Sequence, residues 1–545
     1  MGNVGIRNGE YFTTRIFQRW RFMSVMTIAM QALCLCLVLV LVFQPALAYR
    51  RIEDDRPPVP DSKGGIAKGP SSSVDSYLVP ITVDNGIYLK AVITVGDSAD
   101  NGYKLVGVPD GLGAYDNGDG SFTLLMNHEI QSGNGAVRAH GGSGAFVSKW
   151  TIRKKDFRVT HGEDLIRKVS TWNRDTKAYN NPETSPAVNM SRFCSANLAD
   201  PSAFYNKKTG KGTKDRIFMN GEETDVDGRA FAHIATGDYA GHTFELPYLG
   251  QGSFENQVAH PSSGDKTVVI GLDDGGHNRV FVYVGEKKYV GNPIERAGLT
   301  NGKLYVIAAE GIADEIVDGG NLKAHDKRRF KCQLVGNGDM SGRFGTGTEV
   351  EKLYLPFNNT KAAPIPNTKF DRPEDGSWDP SNRKDFYFAT TSTFNVTGRH
   401  SRLWRLRFDD PTLRSSLEGT IEVMVNGPDG NDRSGPKMMD NIGITKRGEI
   451  IIKEDLGKNV FLSRVWRYNL RTDKLDIISQ HNPALFSGPV PVKTTDEESS
   501  GVISMDDLLG LGWYLGDVQA HRTLPNPLVE DGQLYAMYVP PYSQK

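Results

Sequence analysis

The sequence predicts an all-β protein: a single β-propeller of about five to seven blades, preceded by a signal peptide and a short linker. Three observations predict it. Glycine supplies 59 of the 545 residues, about 11% against a usual share of about 7%, as many tight turns between short strands require. From residue 77 onward, short β-branched and aromatic runs are separated by Gly, Asn and Asp, and a sustained 3.6-residue period is scarce. A unit of strand, loop and strand also recurs along the chain. Tandem β-sandwiches would give similar strands, but a charged motif recurs at one place in the unit, which favours the propeller.

The elements follow in chain order. In residues 1–48, Arg15, Arg19 and Arg21 precede an apolar run over 23–43 that ends in Pro45-Ala46-Leu47-Ala48. This is the pattern of a cleaved signal peptide, with an uncleaved membrane anchor as the alternative. Either places the body outside the cytoplasm, in the periplasm or the extracellular space. The leader holds four of the 64 basic and one of the 65 acidic residues, so the body carries a net charge of about −4 and has no electrostatic reason to bind nucleic acid. Residues 49–76 are charged and rich in Pro, Gly and Ser, and read as a flexible linker. Residues 77–545 form the propeller. Its two cysteines, Cys194 and Cys332, either pair or remain separate buried thiols.

Four copies of the unit stand out. Arg216-Ile-Phe-Met-Asn-Gly-Glu222-Glu223 precedes Arg229-Ala-Phe, and Thr267-Val-Val-Ile-Gly-Leu-Asp273-Asp274 precedes Arg279-Val-Phe. Asp385-Phe-Tyr-Phe-Ala precedes Arg402-Leu-Trp, and Glu449-Ile-Ile-Ile-Lys-Glu454-Asp455 precedes Arg464-Val-Trp. A weaker fifth copy runs over 121–129 and 144–152 and ends its first strand in Asn127-His128-Glu129. Short helical turns are expected over 313–317 and 504–509.

Blades arranged around an axis bring equivalent strand ends together. Glu129, Glu222, Glu223, Asp273, Asp274, Glu454 and Asp455 would then converge, and carboxylates so crowded cannot all ionise without a cation. Oxygen ligands select calcium or magnesium, or carboxylate-bound iron or manganese. The plainer alternative is that each pair caps a turn or faces solvent. Asp371-Arg372-Pro373-Glu374-Asp375-Gly376 and Asp440-Asn441 add Glu374 and Asp440 as ligands. Arg372 adds a planar fork suited to phosphate oxygens, and Asn127 adds an amide donor. The sequence has no G-x-S-x-G elbow, H-E-x-x-H helix, Walker loop or Rossmann glycine set.

Asn127-His128-Glu129, Glu222-Glu223, Arg372-Pro373-Glu374 and Glu454-Asp455, in that order, resemble the PhoX-type alkaline phosphatase family over residues 79–540. The resemblance implies phosphomonoester hydrolysis by an iron and calcium cluster, with Glu222 and Glu374 on metal and Asn127 and Arg372 on phosphate. Two positions depart from the family. Gly221 stands where the family has a metal-binding cysteine, and Ala259-His260-Pro261 where it has His-Glu. Calcium is therefore the expected ion, and iron is in doubt. The expectation is a secreted, monomeric, metal-dependent phosphatase acting on a phosphorylated small molecule. The alternatives are a phytase-like calcium-dependent phosphoesterase and a calcium-binding propeller without catalysis.

Overall fold

The computed structural model describes residues 1–2, 55–82, 85–342, 366–410 and 416–542. The chain divides into Met1–Arg56 and Pro57–Lys545. Nearly all of the predicted leader and the start of the linker lie outside the described residues.

Pro57–Lys545 is all-β and propeller-like. Six four-stranded antiparallel meanders account for most of its strands. Their first strands are Pro109–Asp116, Asn197–Leu198, Phe254–Ala259, Pro373–Trp378, Met439–Ile444 and Glu497–Ser504. Each first strand packs beside the next, and the Glu497 strand packs beside the Pro109 strand, so the six close a ring around an axis. The ring is sealed by joining the two ends of the fold. The last meander takes its fourth strand, Tyr88–Thr94, from the N-terminal side, paired antiparallel to Glu530–Tyr538. The third and fourth meanders share an extra strand, Lys327–Leu334, between their outer edges.

Each meander is covered on both faces by its neighbours, which explains the near-continuous apolar runs. Lys266–Asp273 is buried at every position after the first. Inside the ring the backbones approach closely: a Cβ at Gly111 would lie 2.5 Å from the Ala196 nitrogen of the next strand, so only glycine fits.

One expectation is corrected. The expected flexible linker is partly ordered, since Gly65–Lys68 runs parallel to Tyr88–Thr94 as an edge strand. Gly64 and Gly65 supply the positive φ that starts it. Of the two alternatives for the cysteines, the structure has separate free thiols at Cys194 and Cys332. The expected helical turns are present as Glu315–Asp318 and Asp506–Leu509.

Candidate metal centre

Strand alternation decides what each acidic pair does. Consecutive residues of a strand point to opposite sides, so the two members of a pair cannot share a role. The first members turn into the protein. Glu222 is held by both Arg229 Nε (2.6 Å) and Nη2 (2.8 Å) and accepts the Ser191 amide. Asp273 accepts the Ser253 and His277 amides at 2.9 and 2.7 Å. Glu454 takes Arg433, the Lys437 and Arg464 amides and the Trp466 indole. His128 stacks on Phe146 with ring centroids 4.2 Å apart, and burial pushes it down to about 3. Glu222, Asp273 and Glu454 are thus committed to structural bonds, and the fold does not bring them to the acidic centre.

The second members face the axis. Glu129 and Glu223 both enter clusters of ligand-type atoms lying within 4.8 Å of one another. Asp274 is clamped by Arg372 through Nε at 2.9 Å and Nη2 at 2.7 Å. Asp455 accepts the Gly457 amide at 2.8 Å, and burial pushes its carboxyl up to about 7.

The rest of the centre comes from the starts of the first strands. Pairing with the second strand slips at five of the six starts: between Pro109 and Leu112, Phe254 and Asn256, Pro373 and Gly376, Met439 and Ile442, and Ser499 and Val502. A bulge bends the strand and re-aims the side chains it carries. The bulged residues include Asp110, Glu255, Glu374 and Asp440, which together with Cys194 at the remaining start form the ring. Val108, Arg192, Arg372 and Met438, each two residues ahead of a ring residue, have positive φ of 56°, 44°, 64° and 43°. At Val108, Arg372 and Met438 this left-handed step leads into the bulge, and at Arg192 it leads to Cys194 in the strand start that has none.

Three groups are close enough to hold an ion: Asp110, Glu129 and Cys194; Cys194, Glu223 and Glu255; Glu255, Glu374 and Asp440. Six carboxylates stand there against two guanidiniums, Arg192 on Glu129 and Glu223, and Arg372 on Glu374. Burial, reinforced by neighbouring carboxylates, holds Asp110, Glu255, Glu374 and Asp440 well above the ordinary range. The same burial raises Glu223 to about 7, against the pull of Arg192. Glu374 Oε1 is buried and accepts no hydrogen bond, its nearest cation being Arg372 Nη2 at 3.3 Å. Crowded, under-neutralised carboxylates, one of them with an oxygen that accepts no hydrogen bond, fit a cation site. The donors differ by group. Glu255, Glu374 and Asp440 are all oxygen, which suits a hard cation. The Cys194 thiol, 2.8 Å from Glu223, adds a soft donor of the kind transition metals take. Burial pushes that thiol up, so only a cation beside it would keep it ionised.

Of the predicted residues, Glu129, Glu223, Asp274, Arg372, Glu374 and Asp440 meet here. Asn127 does not: its amide is spent on the Cys194 carbonyl at 2.6 Å and on Asn220 at 2.9 Å, so it fastens the backbone under the thiol. Asp110, Arg192, Cys194 and Glu255 were not predicted. Gly221 leaves no thiol at its own position, yet the fold delivers one from Cys194. Glu255 likewise stands four residues ahead of the Ala259-His260-Pro261 segment. A visible signal was a ligand residue at the start of four of the six first strands, just before a small or amide residue: Asp110-Gly111, Cys194-Ser195, Glu255-Asn256, Asp440-Asn441.

Downstream of the ring the first strands enclose a cavity of about 480 Å³ lined by Gly111, Gly113, Ala196, Gly376, Gly443 and Gly501 among others. Ser195, Asp375 and Asn441 line the end nearer the acids.

No family model matches the sequence, and no curated protein matches it. Among solved structures, Pseudomonas fluorescens PhoX in complex with vanadate, a transition state analogue, superposes with a TM-score of 0.58 at 13% identity, over 89% of this chain and 97% of that chain. The soluble aldose sugar dehydrogenase from Escherichia coli in the apo-form gives 0.35 at 8% identity, over 83% and 100%. A glucose dehydrogenase gives 0.31 at 10% identity, over 79% and 96%. The last two scores are too low to bear on the fold. The first shows that this chain shares the all-β architecture of the PhoX structure.

Proposed function

We propose that the chain is a secreted, metal-dependent phosphomonoester hydrolase, with its site at the acidic mouth of a six-bladed propeller. The observation that carries the reading is the ring itself, in which carboxylates and one thiol converge from separate meanders beside an arginine fork. Cys194, Glu223 and Glu255 would hold a transition metal such as iron, and Glu255, Glu374 and Asp440 a harder ion such as calcium. Ions bound there supply Lewis-acid neutralisation of phosphoryl charge and an activated oxygen nucleophile.

The chain's own residues do the rest. Asp274 grips Arg372 by Nε and Nη2, which fixes the guanidinium before substrate arrives and lowers the entropy lost on binding. Its Nη1 edge orients phosphoryl oxygens and keeps its charge at any working pH. Glu374 lies 3.3 Å from the same guanidinium, so one arginine ties the anion site to the ligand set. The PhoX structure, whose bound vanadate is a transition state analogue, lends support from a shared fold. The leader sequence supports secretion.

The test is phosphate release from a chromogenic monoester by protein reconstituted with iron and calcium. Arg372→Ala should lower kcat/KM by about 10²–10³-fold, with Arg372→Lys recovering only part. Absence of release by the wild-type protein with both metals bound would overturn the proposal.

A further inference from the structure

We propose that Arg192 is a second anion-binding arginine, which with Arg372 forms a two-pronged clamp for the terminal phosphoryl group of a dianionic monoester. The inference rests on the phosphatase reading above and extends it to a residue that no motif singled out.

The two arginines repeat one design on two meanders. Each stands two residues ahead of a ring residue, in Arg192-Phe193-Cys194 and Arg372-Pro373-Glu374. Each has a left-handed backbone, φ 44° and 64°, which L-residues seldom adopt. At the equivalent steps Val108 and Met438 have no charge to offer. The Arg192 peptide is tied between two acidic pairs: its N–H donates to the Ile130 carbonyl at 3.1 Å, and its carbonyl accepts the Glu223 amide at 2.9 Å.

The guanidiniums also use the same edge. Arg192 donates through Nε to Glu223 at 3.1 Å, and its Nη2 bonds Glu223 and lies 2.8 Å from Glu129. Arg372 uses Nε and Nη2 on Asp274, with Nη2 3.3 Å from Glu374. In both, Nη1 makes no hydrogen bond among the described residues, and the side chains are 45% and 39% exposed. A counter-ion needed only for neutralisation would have no reason to keep one edge open. Glu255 belongs to one tight group with Glu223 and to another with Glu374, so the two forks, on Glu223 and Glu374, flank one carboxylate row. Two open edges match the three non-bridging oxygens of a monoester better than the two of a diester.

The test is calorimetric binding of inorganic phosphate to metal-reconstituted protein, with metal content measured in each sample. Arg192→Ala should weaken binding about 10–100-fold. Arg192→Lys keeps a positive charge over Glu129 and Glu223 but loses the fork, and should still weaken binding several-fold at wild-type metal content. Arg407→Ala, which removes an arginine from the remote Asp385, should change nothing. Wild-type affinity in Arg192→Lys would overturn the proposal and leave Arg192 a counter-ion. Binding needs no turnover, so a protein that hydrolyses nothing but loses phosphate affinity in both Arg192 variants would uphold the clamp while sinking the phosphatase reading.

Discussion

Replacing Glu255 by glutamine removes a carboxylate common to two adjacent ligand groups, one with Cys194 and Glu223 and the other with Glu374 and Asp440. The effect should depend on metal. Without metal, burial already pushes Glu255 well above the ordinary range, towards the neutral form of which glutamine is an isostere. Ser195 Oγ, which donates to it at 2.6 Å, can donate equally to an amide oxygen. The stripped variant should therefore lie within about 1 kcal/mol of wild type. With metal at about 1,000 times its dissociation constant, the wild-type fold gains about 4 kcal/mol. Loss of the shared anionic ligand at a cost of about 100-fold in affinity leaves the variant a gain of only about 1.4 kcal/mol. Urea unfolding of chelator-stripped and reconstituted samples measures both arms. Equal metal-induced gains in the two proteins would refute the shared-ligand reasoning. A stripped variant several kcal/mol less stable would instead mean that Glu255 is ionised and structurally paired without metal.

Three more expectations follow from named contacts. Cys194→Ser should lose stoichiometric transition metal while keeping calcium-induced stabilisation, read by elemental analysis beside thermal melts, because only the thiol-containing groups lose their soft donor. Glu315→Ala should cost about 3–5 kcal/mol in urea unfolding without changing metal content, because it strands the buried Arg402 guanidinium, 2.7 Å away; a loss under 1 kcal/mol would show the pair to be dispensable. For pH, burial raises Glu223 from 4.5 to about 7, so the stripped native state binds its proton more tightly than the unfolded chain. That contribution is intact below about pH 4.5 and is lost as pH rises through about 7. Metal-free Glu223→Gln should therefore gain on wild type across that window in paired thermal melts, and a constant difference would contradict it.

Much of the fold was legible because its signals are local. The run Thr267–Leu272 is apolar and β-branched, Asp273-Asp274 marks its end, and Arg279-Val280-Phe281 opens the next strand. Such patterns depend only on residues a few positions apart. The site was legible in part for the same reason. A pair such as Glu222-Glu223 could be recognised as acidic, and the family resemblance drew attention to its first member. The backbone alternates, however, so Arg229 takes Glu222 and the axis receives Glu223. Glu374 and Asp440 were identified beside conspicuous turn residues. Glu255 sits inside Phe254–Ala259, a strand with no such turn residue; the Glu255-Asn256 dipeptide was its one local signal, and its bulge decides where it points.

By itself, the sequence determined the all-β class, the repeating strand–loop–strand unit and the supply of acidic residues, since propensity, alternation and turn chemistry are written in neighbouring positions. Tertiary structure alone decided which acids meet. Cys194 reaches Glu255 and Asp110, and Asp440 reaches Glu374, only because first strands of successive meanders pack side by side around one axis. The physical reason is one of range. A bulge or a left-handed step shifts a side chain by a few ångströms, and those shifts become a site only when closure brings strands far apart in the chain to a common axis.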